Sequence, residues 1–254
     1  VTWLGYLCTT GLRAIHYRLC DVHTDPPGKA EAWQVETPIR LPDSQWCYQP
    51  QVELPRPTSL PFLRNGYWTF GSFNQESKLN EVALRAWAVS LRVLPESRLR
   101  VVGVSCDMVE EKIRRIFSVH SVAAERVEII GRIPIEEYFA AYSDVDVALD
   151  SFPYNGATTT CDALLMGVPV ATVAGERAIA RGGVSLLSTM GLGGWIAASP
   201  EALADTLSAH LRDPQRLAEL RHELPGRMRA SPLMDGATFA RNVETIFAQV
   251  SCAN

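Results

Sequence analysis

One stretch of this chain, Asp150-Ser-Phe-Pro-Tyr-Asn-Gly-Ala-Thr-Thr-Thr-Cys-Asp162, holds the residue types that bind an anion. Asn155-Gly156 makes a tight turn, and Thr158, Thr159 and Thr160 then open a helix with free backbone N–H groups and hydroxyl donors. A single threonine there would be read as a cap closing its own helix. Three in a row after Asn-Gly, at the carboxyl end of a strand, point instead to a diphosphate at residues 158–160. A second stretch, Phe73-Asn74-Gln75-Glu76-Ser77-Lys78, follows the first strand of the regular part of the chain. Lys78 is one of only three lysines, with Lys29 and Lys112. Taken alone it reads as a solvated surface side chain. Beside a diphosphate, its ammonium would neutralise a departing anion without a metal.

For these two stretches to meet, the chain must fold as an α/β domain with a doubly wound parallel sheet, and the pattern from Gly66 onward predicts one. Short β-branched runs at 67–72, 98–104, 127–130, 145–149 and 168–173 alternate with helical segments at 80–93, 107–118, 135–143 and 159–166. In the first helix Val82, Ala86, Val89 and Val93 recur at helical spacing and predict an apolar face laid on the sheet. Beyond Gly175 the pattern is helical, at 177–189, 200–212, 214–229 and 236–250. The last helix carries Phe239, Val243, Ile246, Phe247 and Val250, a stripe suited to packing on a neighbouring layer.

The first 60 residues differ. Seven prolines interrupt them, with Pro61 directly after, which leaves room only for short strands at 17–22 and 35–41. We read residues 1–60 as a linker with an edge, and 61–254 as the regular α/β part. Starting at Val1 without a methionine, the chain reads as a segment of something longer.

Composition excludes several classes. A net charge of -4 and scattered basic residues argue against a nucleic-acid surface. No apolar run reaches the roughly 18 residues of a membrane span. Six dispersed cysteines without a CxxC pair fit reduced thiols in a cytoplasm. No histidine pair has metal-ligand spacing, and Asp144-Val-Asp146 sits where aspartates bound a helix and a strand, so we expect no metal site. Asp150 is expected to fix the turn leading to Asn155. Glu176 and Arg181 form either a surface ion pair or part of the site edge. His16 reads as a half-buried residue at a strand start.

Together, FGSFNQESKLN, the run from RVEIIGRIPIEEYFAAYSDVDVALDSFPYNGATTTCDALLMG to GERAIARGGVSLL, and the opening WLGY, TTG and AIHYRLCD resemble the C-terminal part of the O-linked N-acetylglucosamine transferase and SPINDLY family in its bacterial form. The similarity runs from about Trp3 to the C-terminus. It implies a two-lobed GT-B enzyme, metal-independent and inverting and without a cofactor. Such an enzyme moves a sugar from UDP-N-acetylglucosamine or GDP-fucose to Ser or Thr of an acceptor protein, with donor binding in the second lobe. It also implies that residues 1–60 are a remnant of a first lobe plus a linker, that 61–254 are the nucleotide-sugar-binding lobe, and that the missing part of the first lobe orients the acceptor behind an upstream tetratricopeptide region. By the same resemblance, Gln75 and Lys78 hold the diphosphate, Lys78 serving catalysis by stabilising the departing nucleotide. Thr158 and Thr159 start the phosphate-binding helix, Asp162 holds the ribose hydroxyls, and the Ile133 backbone contacts the base. Three positions depart from the family pattern. Tyr138 replaces a common His near the base, where its ring can still stack; Ala157 replaces a His of animal members; and Ala180-Arg181-Gly182-Gly183 replaces Ser-Arg-Val. These departures keep a non-catalytic nucleotide-binding or scaffold module open as the alternative, and a nucleotide-sugar epimerase as a third reading.

Overall fold

The computed structural model describes residues 1–252. Its main element is a six-stranded, all-parallel sheet built from β3 (Trp68–Ser72), β4 (Ser97–Val102), β5 (Val127–Ile130), β6 (Val147–Leu149), β7 (Val170–Val173) and β8 (Ile196–Ala197). The strand order is β5-β4-β3-β6-β7-β8. After β3 the chain winds outward through β4 and β5, then crosses back to lay β6 on the other side of β3. Since parallel crossovers are right-handed, that reversal puts helices on both faces. The sheet is therefore doubly wound, as the sequence implied.

The connecting helices are α1 (Phe62–Asn65), α2 (Glu81–Val93), α3 (Asp107–Val119), α4 (Ile135–Ala141), α5 (Thr158–Leu165), α6 (Gly182–Thr189), α7 (Leu203–Leu211), α8 (Pro214–Arg229) and α9 (Gly236–Cys252). Local chemistry sets several of their starts. Asn80 caps α2 by accepting from the backbone N–H groups of Val82 and Ala83. Asp213 does the same for α8, with Pro214 in the first turn. The expected apolar face of α2 is corrected: Val82 and Val93 are about half exposed, and Ala83, Leu84, Trp87, Ala88 and Leu91 are buried. The larger leucine and tryptophan side chains exclude more water than valine, so they set the helix rotation. The helix expected over 177–189 is broken into a 3-10 turn at Ala178–Ala180 and α6, with Arg181 between them.

At the N-terminus, β1 (Tyr17–Cys20) and β2 (Thr37–Arg40) form a separate parallel pair, extended by a single bridge from Thr2 to Arg18. Leu19 and Leu41 from this sheet bury Ile246 of α9, with Ile39, Phe239 and Val243 packed around them. The last helix thus closes over the small sheet. The 41–61 segment has its own anchors, since Trp46 and Leu60 join the main core.

Arg221 of α8 ties these layers together. Only 1% exposed, it donates to the carbonyls of Thr58 (2.9 Å), Val145 (2.7 Å) and Tyr142 (3.1 Å). Burial lowers its pKa to about 10, with Asp146 pulling the other way. Arg221→Met keeps most of the methylene packing but strands three carbonyls. It is expected to lower unfolding stability by about 2–3 kcal/mol, read from urea midpoints.

Candidate functional site

In an open parallel sheet the crevice for a ligand lies beyond the carboxyl ends of the two strands flanking the order reversal. Here those strands are β3 and β6, paired at Phe70 with Val147 and Gly71 with Ala148. The two sequence segments singled out above leave these strands, so topology alone makes them neighbours.

Asp150, the residue after β6, organises the crevice. Its buried carboxylate accepts from the Gly156 N–H (2.6 Å) and the Thr172 hydroxyl (2.6 Å). The first of these bonds closes the turn, as expected from the sequence. Burial raises its pKa to about 6, against the pull of Thr172, Gly156 and Lys78. The backbone must come very close to make this cradle. A Cβ on Gly156 would lie 2.8 Å from Asn74 Oδ1, and one on Gly183 would lie 2.6 Å from Asp150 Oδ2. Gly156→Ala is therefore expected to push the α5 start away from Asn74 and cost about 1–3 kcal/mol, measured by thermal unfolding.

Lys78 ends a 3-10 turn, Glu76–Lys78, directly after β3. Its Nζ donates to the Asn155 carbonyl (2.9 Å) and stands 4.1 Å above the Tyr154 ring. Burial lowers its pKa, and the Asp150 carboxylate opposes that shift. The ammonium thus points at the turn that opens α5. That helix begins at Thr158, and Ala157 before it supplies no side-chain cap, which leaves the first-turn amides available to an anion.

The expected site residues here fall into four groups. Gln75 is exposed beside Lys78, Thr158 is exposed at the first turn of α5, and half-buried Thr159 donates to Asn74 Oδ1 at 3.3 Å. Asn155 and Gly156 are buried: the Asn155 side chain donates to the Ser151 carbonyl and accepts from the Gly183 N–H, so it shapes the turn. Thr160 corrects the expectation of three hydroxyls facing a diphosphate. It is 2% exposed, because the third residue of the helix already faces the core. Ile133 and Tyr138 line a cleft of about 520 Å³, with Phe73, Asn74, Gln75, Glu76 and Arg132, and Asn74 joins that cleft to the turn that opens α5.

Asp162 lies in the second turn of α5 and is buried. One carboxylate oxygen accepts from the Tyr48 hydroxyl and the other from the Tyr138 hydroxyl (2.8 Å), which also meets the Tyr142 hydroxyl at 3.0 Å. Tyr138 packs edge-on against Phe73.

Other candidates have structural roles. Asp146 accepts from the Phe62 and Thr69 N–H groups, both at 2.8 Å, and Asp144 pairs with Arg64 and Arg100. Among the described residues no group of His, Cys, Asp and Glu is arranged to hold a metal ion. Arg181 donates to the carbonyls of His23 and Gly175, which ties the N-terminal segment to the loop after β7, in place of the surface ion pair with Glu176 that was one of the two readings. His16 is exposed, against the expected half-burial, because β1 begins one residue later. No helix among the described residues is long and apolar enough to cross a membrane.

Residues 62–243 match glycosyl transferase family 41. The chain belongs to that family. It is 40% identical over 250 residues to the tomato protein named probable UDP-N-acetylglucosamine--peptide N-acetylglucosaminyltransferase SPINDLY, covering 97% of this chain and 27% of that one. The Arabidopsis thaliana SPINDLY protein is 38% identical with the same coverage. The chain therefore spans about a quarter of the length of these relatives. A solved Thermobaculum terrenum O-GlcNAc transferase mutant superposes with a TM-score of 0.89 at 33% identity, covering 98% of this chain and 47% of that chain. The doubly wound sheet thus matches the GT-B fold of that enzyme. A Thermosynechococcus elongatus sucrose-phosphate synthase, at 17% identity and a TM-score of 0.63, shares the fold alone.

Within this family 41 fold, sequence reasoning missed Asn74, Thr172, Gly183 and Tyr48. Thr172 had a readable signal, a lone hydroxyl in the otherwise apolar strand Val-Ala-Thr-Val. Tyr48 had none, since it reaches Asp162 across 114 residues of chain.

Proposed function

We propose that this chain is the donor-binding half of an inverting protein O-glycosyltransferase that takes its sugar from a UDP or GDP donor, UDP-N-acetylglucosamine or GDP-fucose. One observation carries the reading: the Lys78 ammonium sits at the turn that opens α5, at the order reversal of the sheet. A nucleotide sugar laid there puts its base in the Ile133–Tyr138 cleft and its diphosphate on Thr158, Thr159, Gln75 and the α5 amides. As the sugar departs, negative charge grows on the diphosphate. A fixed ammonium and a helix N-terminus stabilise that charge more in the transition state than in the ground state, the role a metal fills elsewhere.

In this reading residues 1–60 are the end of a first lobe, and 61–254 are the donor lobe. The 27% span of the SPINDLY relatives supports a longer protein whose upstream part, including a tetratricopeptide region, supplies acceptor recognition and the acceptor base. The acceptor is Ser or Thr of a protein, and no cofactor takes part.

Calorimetry with UDP and GDP tests the reading. The chain is expected to bind one of them and, by itself, to transfer no sugar. Absence of heat for both at millimolar concentration contradicts it. If the protein extended by its upstream part binds nucleotide but transfers neither N-acetylglucosamine nor fucose, the non-catalytic alternative takes its place.

A further inference from the structure

The linker residue Tyr48 makes the longest-range polar contact to the site, and the reading above leaves its role open. We propose that Tyr48 is a positioning residue for the donor ribose: together with Tyr138 it fixes the Asp162 carboxylate so that one lone pair on each oxygen faces the two ribose hydroxyls. This rests on the donor-binding reading of the preceding section, with Asp162 as the ribose carboxylate that the family resemblance implies.

The argument begins with the carboxylate. An ionised Asp offers about four acceptor sites, and its last torsion is soft, so an unrestrained carboxylate rotates through many orientations. Tyr48 takes one site on Oδ1 and Tyr138 one on Oδ2. Donors on both oxygens lock the rotation and leave two acceptor sites, the number a vicinal diol requires. Burial raises the Asp162 pKa, and the hydroxyls of Tyr48 and Tyr138 lower it toward the ionised form that accepts from both ribose hydroxyls.

Each tyrosine is itself held in place. Tyr138 meets Tyr142, whose ring stacks on Phe73 at 3.8 Å between centroids. The Tyr48 backbone N–H donates to the Leu233 carbonyl (2.7 Å), and Trp46, two residues earlier, donates through its indole N–H to Ser185 on α6 (3.1 Å). The position of the Tyr48 hydroxyl is thus set by how the linker docks on the donor lobe. Ribose affinity consequently depends on a residue outside that lobe.

The test compares UDP and GDP with their 2′,3′-dideoxy counterparts by calorimetry, on the unsubstituted chain and on Tyr48→Phe, with unfolding midpoints to confirm the fold. The unsubstituted chain is expected to prefer the ribonucleotides. Tyr48→Phe is expected to weaken ribonucleotide binding about tenfold and to leave the deoxy forms unchanged, since one charge-assisted hydrogen bond is at stake. Equal weakening of ribo and deoxy forms overturns the proposal, as does unchanged ribonucleotide affinity or no ribose preference in the unsubstituted chain. If Tyr48→Phe does not fold, Trp46→Phe loosens the same linker with Tyr48 intact; a smaller loss confined to ribonucleotides is expected, and an equal loss overturns the proposal. Failure of the unsubstituted chain to bind either nucleotide overturns this inference together with the donor-binding reading.

Discussion

Lys78→Met is expected to abolish most diphosphate binding while the domain stays folded. The ammonium is half-buried, held by the Asn155 carbonyl and the Tyr154 ring, and aimed at the α5 start. Methionine keeps the length and apolar stem of lysine and removes only the charge. Truncating one partner of a desolvated charged pair costs about 2–5 kcal/mol, which is on the order of 30-fold to over 1000-fold in Kd. The loss should fall on UDP and GDP and spare uridine and guanosine, because nucleosides never meet the ammonium. Calorimetry with those four ligands reads the difference directly. A loss shared equally by the nucleosides would place Lys78 in the base cleft and not at the phosphates.

The second large effect falls on Asp150. Asp150→Ala removes the acceptor for two buried donors, Gly156 N–H and Thr172 Oγ1, and opens a gap under the turn. We expect destabilisation of about 3 kcal/mol or more, measured by denaturant unfolding. Asp150→Asn behaves differently. Its oxygen can still accept from Gly156, and the Thr172 hydroxyl can turn to accept from the amide. The folded Asp150 pKa, about 6, lies above its ordinary 3.8, so the fold favours the protonated carboxyl. That contribution is complete below about pH 3.8 and is lost as pH rises through 6, a change on the order of 3 kcal/mol. Asp146, also raised to about 6 by burial, follows the same course. Asp150→Asn should therefore flatten the fall in stability between pH 4 and 6 by the Asp150 share and keep that of Asp146. It should also move the alkaline loss of diphosphate affinity to lower pH, since Lys78 loses the carboxylate that keeps it charged.

How much of this was legible in the sequence depended on the range of the interactions. β-branched runs gave five strands of the main sheet, and the order reversal then brought Lys78 to the α5 turn without further information. β8 went unread because a two-residue strand after Gly193-Gly194-Trp195 leaves no period to detect. The Asp150 turn was readable because aspartate and Asn-Gly act over six residues. The Asp162 carboxylate was expected to face ribose, but the two tyrosines that hold it were not foreseen. Tyr138 is a helix and a strand away and Tyr48 lies in the linker, and no local pattern encodes either contact. Thr160 was overread because a run of three like residues says nothing of which one the helix turns inward.

The central claim is that a pyrophosphate binds where α5 begins, beside Lys78. Amide chemical shifts of the 15N-labelled chain, followed as UDP, GDP and uridine are added, test it most directly. The account predicts that the Gly156, Thr158 and Thr159 amides move with a nucleoside diphosphate and stay still with uridine. Shifts confined to the arginine-lined cleft at the opposite end of the sheet, around Arg64, Arg98 and Arg100, would contradict it, as would no shift at all.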